Sequence, residues 1–476
     1  MSFNSAQYFI FLPVVFLVFY FTADRYRWVV LLVASYGFYA SFNAPYLLAV
    51  LLMVTGISYT CGLRIAAKQD ETIRKRWLWI GSFACLTILA LFKYLPFFES
   101  QANRTFGLSS TLSSTIISIG VSYFTFQAIS YLVDIYLEIE ESECHFGHFA
   151  LYLAFFPKLP QGPIERAGDL LPQLKQPYRF DYDAMRSGML LFTWGLFKKV
   201  VVADRLALYA DQVYNNVHNY TGLSLIIGTY AYALQIYFDF AGYTDMARGT
   251  GRMFGINLTE NFNSPYSATS VADFWRRWHI SFSRWILNYI FKPLQMAWRN
   301  WGQAGPAAAL IVTFLVCGIW HGATWGFVIW GLLHGIYLAS STSYRPYQKR
   351  LHKWLGVEKS PWLKWWQMFV TFNLVSFAWV FFRSKSLGDA WYVISSWFHG
   401  VKGLRSDLIL SQGRQNILLL LACITLFVLA AIRPQVAERF NSLFNGTSRW
   451  LFYYLFVMLI LICGLFGKAE FIYGRF

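Results

Sequence analysis

Long apolar runs recur from one end of this chain to the other, and they dictate the class of fold. Tyr8–Thr22, Trp28–Tyr39, Tyr46–Tyr59, Trp77–Phe92, Thr115–Tyr136, Leu223–Phe240, Ala307–Trp320, Trp325–Ala339, Trp366–Phe382, Ile417–Ile432 and Leu451–Leu465 are apolar almost throughout. Charged residues make up 13% of the chain and hydrophobic ones 57%, whereas an ordinary soluble domain carries about 25% charged residues. With a mean hydropathy of +0.41, too little polar surface remains to cover a water-soluble core. Helices satisfy their own backbone hydrogen bonds in lipid, so the pattern predicts an all-α, polytopic membrane protein. The twenty-residue rule gives roughly 11–13 spans plus shorter re-entrant pieces. No segment alternates with the ten-residue rhythm of a transmembrane barrel.

Charge orients these helices. The net charge is +16, from 40 Lys and Arg against 24 Asp and Glu. The basic residues cluster in loops, as they do on the cytoplasmic side of membranes, so nucleic acid is not the expected partner. No Lys or Arg precedes the first run, and Asp24, Arg25 and Arg27 follow it. A signal peptide has the reverse order, so a first membrane helix with an external N-terminus is predicted. The stretch Arg64 to Arg76 is the clearest cytoplasmic loop. Residues 187–208 mix apolar side chains with Lys198, Lys199, Asp204 and Arg205 and suit the interface. Pro157, Pro160, Gly162 and Pro163 break helical structure over 157–166. Six scattered cysteines support neither a disulfide framework nor a metal site. Residues 1–476 read as one membrane domain, with a catalytic core at about 157–340.

Ionisable groups at membrane depth are costly and mark function. His321 ends an apolar run and is flanked by Gly318 and Gly322. On a continuous helix, Cys317 and Trp325 would share its face. Imidazole is the natural general base for an alcohol attacking an acyl group; the bland alternative is a core histidine bonded to a neighbour. His279 lies in Asp273-Phe-Trp-Arg276-Arg277-Trp278-His279-Ile-Ser281. Arg276 and Arg277 suit the phosphates or carboxylates of an acyl donor, or else belong to an interfacial belt of Arg and Trp. Asp239 and Asp245 end an apolar helix, and pairing with Arg248, Arg252, Arg276 or Arg277 is the plainer reading than chemistry. Cys317 is a thiol-nucleophile candidate or, more plainly, a small core residue. His334 reads as packing. Gly249-Thr-Gly251-Arg-Met-Phe-Gly255 follows no predicted strand, so it is not read as a dinucleotide loop. The candidate catalytic residues are therefore His321 and His279. The candidate substrate-binding set is Arg276, Arg277, Trp278, Trp320, Asp239, Tyr243 and Cys317.

Several motifs together resemble the membrane-bound O-acyltransferase superfamily, in its bacterial branch of alginate O-acetylation proteins and lipoteichoic-acid D-alanyl transferases. They are Gln161-Gly162-Pro163-Ile164-x-Arg166, Tyr237-Phe-Asp239-Phe-x-Gly242-Tyr243-x-Asp245-Met-Ala247, Glu260-Asn261-Phe262-x-x-Pro265-Tyr266, Phe274-Trp275-x-Arg277-Trp278-His279-Ile-Ser281, Gly318-x-Trp320-His321-Gly322 and Phe471-Ile-Tyr473-Gly-Arg-Phe476. The resemblance implies a helical fold with a narrow waist where two funnels meet. It implies that His321 matches the family's catalytic histidine and His279 a second one that is often required. It also implies acyl transfer from a cytoplasmic acyl-CoA or carrier protein toward an acceptor outside. One departure stands out. Relatives often carry a Pro-Leu-Gly-Gly-Asn turn after the second histidine, whereas this chain reads Lys292-Pro293-Leu294-Gln295-Met296-Ala297.

The expected activity is transfer of acetyl from acetyl-CoA, a donor substrate rather than a tightly bound cofactor, for O-acetylation of an extracytoplasmic polysaccharide. The expected partners are the bilayer, the polysaccharide acceptor and a secreted or anchored acetyltransferase-like protein. The expected location is the bacterial inner membrane. D-alanyl transfer to teichoic acid is the alternative within the enzyme class. A proton-coupled transporter using His279, His321, Asp239 and Asp245 is the alternative outside it, although the internal repeats usual in transporters are missing from the sequence.

Overall fold

The structure is a computed structural model and describes residues 1–42, 44–67, 69–106, 119–400 and 446–467. The apolar run Ile417–Ile432 and the motif Phe471–Phe476 lie outside the described residues. No strand occurs among the described residues. Backbone contacts divide the chain into two compact units, one of residues 1–195 and 243–260, the other of residues 196–242 and 261–469, apart from the last seven residues of the chain.

The first unit contains α1 (Ala6–Phe21), α2 (Arg27–Ala40), α3 (Tyr46–Ala66), α4 (Glu71–Phe106), α5 (Val121–Tyr136), α6 (Phe146–Ala154), α7 (Ala167–Lys175) and most of α8 (Tyr182–Phe197). The basic stretch after α3 is partly helical, because α4 starts at Glu71 and takes Arg74, Lys75 and Arg76 into its first turns. α6 is nine residues long, too short to span. The proline-rich segment that follows it is turn-like and buried. Its backbone survives because protein satisfies it: Gly162 N–H donates to the Lys158 carbonyl at 2.8 Å. The Lys158 ammonium donates to Gln127 Oε1 at 2.6 Å, and Glu165 accepts from the N–H and hydroxyl of Thr259 at 2.6 and 2.8 Å. Non-helical backbone at membrane depth requires such partners.

The second unit starts with a π-helical stretch, Lys198–Ala203, and then α9 (Asp204–Asn215). α10 (Leu223–Met253) is longer than its apolar run suggested, because it continues through Asp239, Gly242 and Asp245. Its last turns belong to the first unit, where Gly249 meets Gly188 of α8. A Cβ added at Gly249 would lie 2.6 Å from the Gly188 carbonyl oxygen. This glycine-rich stretch is thus a helix crossing and not a nucleotide loop.

α11 (Val271–Arg277), α12 (Ile280–Ile286), α13 (Lys292–Ala297), α14 (Ala304–His321), α15 (Trp325–Trp354), α16 (Pro361–Arg383), α17 (Leu387–Ser395) and α18 (Thr447–Cys463) follow. Gln295 and Met296, which stand where the resembled turn has glycines, lie within α13, which continues directly from the π-helical stretch Leu287–Phe291. Without those glycines nothing breaks the helix there. α14 and α15 form a hairpin in which Gly318 and Gly331 sit against each other. Any side chain there would strike the Phe327 or Phe314 carbonyl oxygen. Small residues let membrane helices approach this closely.

Among the described residues, α3, Glu71–Leu95 of α4, α14 and α16 are long and apolar enough to cross a bilayer. The other apolar runs within the described residues fold either as helices of 17 residues or fewer, such as α1, α2, α5 and α18, or as parts of longer, more polar helices such as α10 and α15. This is a membrane protein whose helices differ widely in length.

Candidate active site

His321 is the last residue of α14 and is buried. Gly322 ends the helix with an extended backbone, and Trp325 opens α15 instead. The expectation that Cys317, His321 and Trp325 share one helical face is therefore corrected: Cys317 is buried one turn before His321, while Trp325 is 71% exposed. Aromatic rings enclose the imidazole. Trp330 stands edge-on at 5.1 Å and 89°, Phe382 lies at 5.0 Å and 73°, and Trp320 lies at 4.4 Å. A Cβ on Gly322 would sit 2.5 Å from the Phe327 ring, so a side chain there would crowd the cage.

His279 is held differently. It is buried, and its backbone adopts φ 42° and ψ 57°, the left-handed region. That conformation costs a residue with a Cβ about 1–3 kcal/mol. Asn261, itself buried, offsets the cost. Its carbonyl accepts Ile280 N–H at 2.9 Å, and its side-chain Oδ1 accepts Ser281 N–H at 3.0 Å and the Ser281 hydroxyl at 2.8 Å. The same Oδ1 lies 3.3 Å from His279 Nδ1. The Ser281 N–H is an obligatory donor and so fixes which end of the Asn261 amide faces it. Oδ1 only accepts, hence Nδ1 carries the proton and Nε2 the basic lone pair. Burial pushes this imidazole down to about 3, so it is neutral.

The two histidines belong to one aromatic chain. Phe282 packs on His279 at 5.1 Å, Trp320 stacks on Phe282 at 4.5 Å and 27°, and Trp320 adjoins His321. On its other side His279 receives the edge of Phe240 at 4.7 Å and 85°.

The remaining candidates separate. Trp278 is buried between Phe274, Phe262 and Trp379 and is part of the core. Arg277 binds Asp273 Oδ1 at 3.1 Å, whereas Arg276 is exposed. His334 accepts the Trp275 indole N–H at 3.2 Å and is buried, as a packing residue would be. Tyr243 stacks on Phe3 at 4.7 Å, and Asp245 pairs with Arg248 at 3.4 Å, both within the first unit. Asp239 binds Lys199 Nζ at 2.5 Å, not one of the arginines proposed for it. Lys199 also reaches Asp204 at 2.8 Å, and all three are buried. Lys199 and Asp204 escaped the sequence reading because their stretch was assigned to the interface. Asn261 was visible only inside a motif. No group of three or more metal-ligating side chains occurs among the described residues. A cavity of about 310 Å³ in the first unit is lined by Arg25, Trp28, His148 and Lys175 among others, and by neither histidine of the site.

Comparison with known proteins shows the family. Residues 137–381 match the model of the membrane-bound O-acyltransferase family. The chain is 37% identical over 408 residues to a probable alginate O-acetylase of Pseudomonas aeruginosa, covering 84% of this chain and 75% of that protein. It is 36% identical over 434 residues to a peptidoglycan O-acetyltransferase of Helicobacter pylori, covering 82% and 79%. A teichoic acid D-alanyltransferase of Bacillus subtilis is 26% identical over 274 residues, covering 56% and 69%. The matched segment contains both histidines, and the chain belongs to the membrane-bound O-acyltransferase family.

Proposed function

We propose that this membrane O-acyltransferase takes acetyl from acetyl-CoA on the cytoplasmic side and delivers it for O-acetylation of an extracytoplasmic polysaccharide. The observation that carries the reading is His321, an imidazole at the end of an 18-residue apolar helix, buried and enclosed by rings. There it takes the proton of the acceptor hydroxyl as that oxygen attacks the thioester carbonyl. The C–S bond breaks, and the same proton passes to the departing thiolate, leaving an acetyl ester and free CoA. The rings exclude water that would otherwise hydrolyse the thioester. His279, neutral and with its lone pair on Nε2, serves as a hydrogen-bond acceptor that orients a hydroxyl or thiol proton. Residues 1–476 act as one domain with its catalytic core at about 157–340, and a secreted or anchored acetyltransferase-like protein completes the delivery.

Two relatives at 36–37% identity bear acetyl-transfer names, against 26% for the D-alanyl-transfer relative. That difference favours acetyl over D-alanyl. We place the protein in the inner membrane with its N-terminus outside, supported by the basic residues after α1 and around the start of α4. Inverted membrane vesicles should consume radiolabelled acetyl-CoA, and sealed right-side-out vesicles should not. A cysteine in place of Lys75 should be labelled only in the inverted preparation. Consumption restricted to right-side-out vesicles would overturn the donor side. Labelling of Lys75→Cys restricted to them would overturn the orientation.

Arg276 is the exposed member of the arginine pair and is the better placed to meet donor phosphates. Arg276→Ala should raise the KM for acetyl-CoA about tenfold, the loss of one charge-assisted hydrogen bond, with kcat nearly unchanged. An unchanged KM in folded protein would return Arg276 to the interfacial belt.

A further inference from the structure

The mechanism above leaves unused three buried charges, one of which, Asp239, is next in sequence to a ring that abuts His279. Lys199, Asp204 and Asp239 are each at most 4% exposed. One ammonium bridges two carboxylates, at 2.5 Å to Asp239 and 2.8 Å to Asp204. Ion pairs buried this deeply are weak contributors to stability, since desolvation cancels much of their attraction. Their presence asks for another reason.

Three observations suggest one. The lysine sits in the π-helical stretch Lys198–Ala203, a wider turn that commonly marks functional positions. Asp239 is followed directly by Phe240, whose ring edge abuts the His279 imidazole at 4.7 Å. Phe240 is also braced by Phe262 at 5.1 Å, one residue from the Asn261 that fixes the Nδ1 side of the same imidazole. The two carboxylates are not equivalent. Asp204 Oδ2 is buried with no hydrogen-bond partner among the described residues, and burial pushes this carboxyl up to about 7. The shorter contact is the one to Asp239.

We infer that Lys199, through Asp239, is a positioning residue for His279: the ion pair sets the register of α10, and Phe240 transmits that register to the imidazole. Asp204 supplies counter-charge and is dispensable for placement. The inference rests on the acetyl-transfer reading for its activity readout, so it also needs a readout that is independent of turnover.

Two substitutions separate the roles, because each removes one carboxylate and leaves one Lys–Asp pair. Asp204→Asn keeps Lys199–Asp239, and Asp239→Asn keeps Lys199–Asp204. If the cluster serves only charge balance, the two variants behave alike. Positioning predicts that Asp239→Asn lowers kcat about 10- to 100-fold with the acetyl-CoA KM unchanged, as for an outer partner that orients a working group. Asp204→Asn should stay within about twofold of the wild type, and Asp239→Glu, which can restore the pair, should recover much of the lost kcat. The independent readout is the ¹⁵N spectrum of histidine-labelled protein in bilayers, with the His279 signals identified by their loss in His279→Asn. Those signals should move in Asp239→Asn and stay in place in Asp204→Asn. Equal effects of the two asparagine variants on kcat and spectrum would overturn the inference. If the wild type shows no acetyl transfer but its His279 signals respond only to Asp239→Asn, the functional reading fails and the positioning stands.

Discussion

His321→Ala should be inserted, folded and able to bind acetyl-CoA, yet at least 100-fold slower in acetyl transfer. A positioned base contributes about 10²–10⁴-fold to such a step, and the other imidazole on the cage, His334 against Trp330 at 5.0 Å, accepts the Trp275 indole N–H. The side chain lies between Trp320, Trp330 and Phe382, so its removal leaves a void. His321→Gln is the companion that separates void from base. Glutamine fills most of the space and keeps polar atoms there, but it cannot accept the proton. Both variants should therefore be nearly inactive while donor KM holds. Activity retained in the glutamine variant alone would make His321 a structural hydrogen-bonding residue. Cys317→Ser tests the competing nucleophile from one turn earlier on α14. It should be tolerated, and a stable acetyl adduct on Cys317 in the wild type would replace the general-base mechanism with a covalent one.

Why the sequence showed some of this and hid the rest follows from range. His321 stood out because a lone imidazole at the end of an apolar run needs no partner to be noticed. The apolar runs that become α14 and α15 were equally visible, but the break between them at Gly322 was not. What escaped depended on distant contacts. Asp239 was matched to arginines later in the chain, but Lys199, 40 residues earlier, binds it. The identity of that partner is set by the π-helical turn that brings Lys199 inward, and no local periodicity announces such a turn. Helix ends also went astray where polar residues are buried. α10 was expected to end where its apolar run gives way to Asp239 and Asp245, whereas Asp239 is paired inside the protein and the helix runs on to Met253. Trp278, placed in the candidate substrate-binding set, is buried against Phe274, Phe262 and Trp379, contacts that the local motif does not show.

Asn261 was hidden inside a motif, and it carries the second large expected effect. Its Oδ1 receives the Ser281 N–H, the Ser281 hydroxyl and, by the tautomer argument, His279 Nδ1–H. Asn261→Leu keeps the bulk and removes the acceptor. A buried donor left without an acceptor costs about 1–3 kcal/mol, and the left-handed backbone of His279 loses one of its supports. Acetyl transfer should fall by about 100-fold, the effect of misplacing an orienting group by a small distance, with a lowered melting temperature. Loss of activity alone would be ambiguous, and Asn261→Asp resolves it. Aspartate keeps the acceptor but places a negative charge beside an imidazole whose burial pushes it down to about 3. An adjacent opposite charge favours the protonated imidazole and moves its titration up by about 1–3 pH units. Protonation takes the lone pair from Nε2, so the activity of Asn261→Asp should be lost as pH falls through about 4–6 and regained as pH rises. The wild type, with His279 neutral throughout that range, should show no such limb from this residue. A pH profile of Asn261→Asp that superimposes on the wild type would mean that Asn261 does not touch the working imidazole, and His279 would then lose its role as an oriented acceptor.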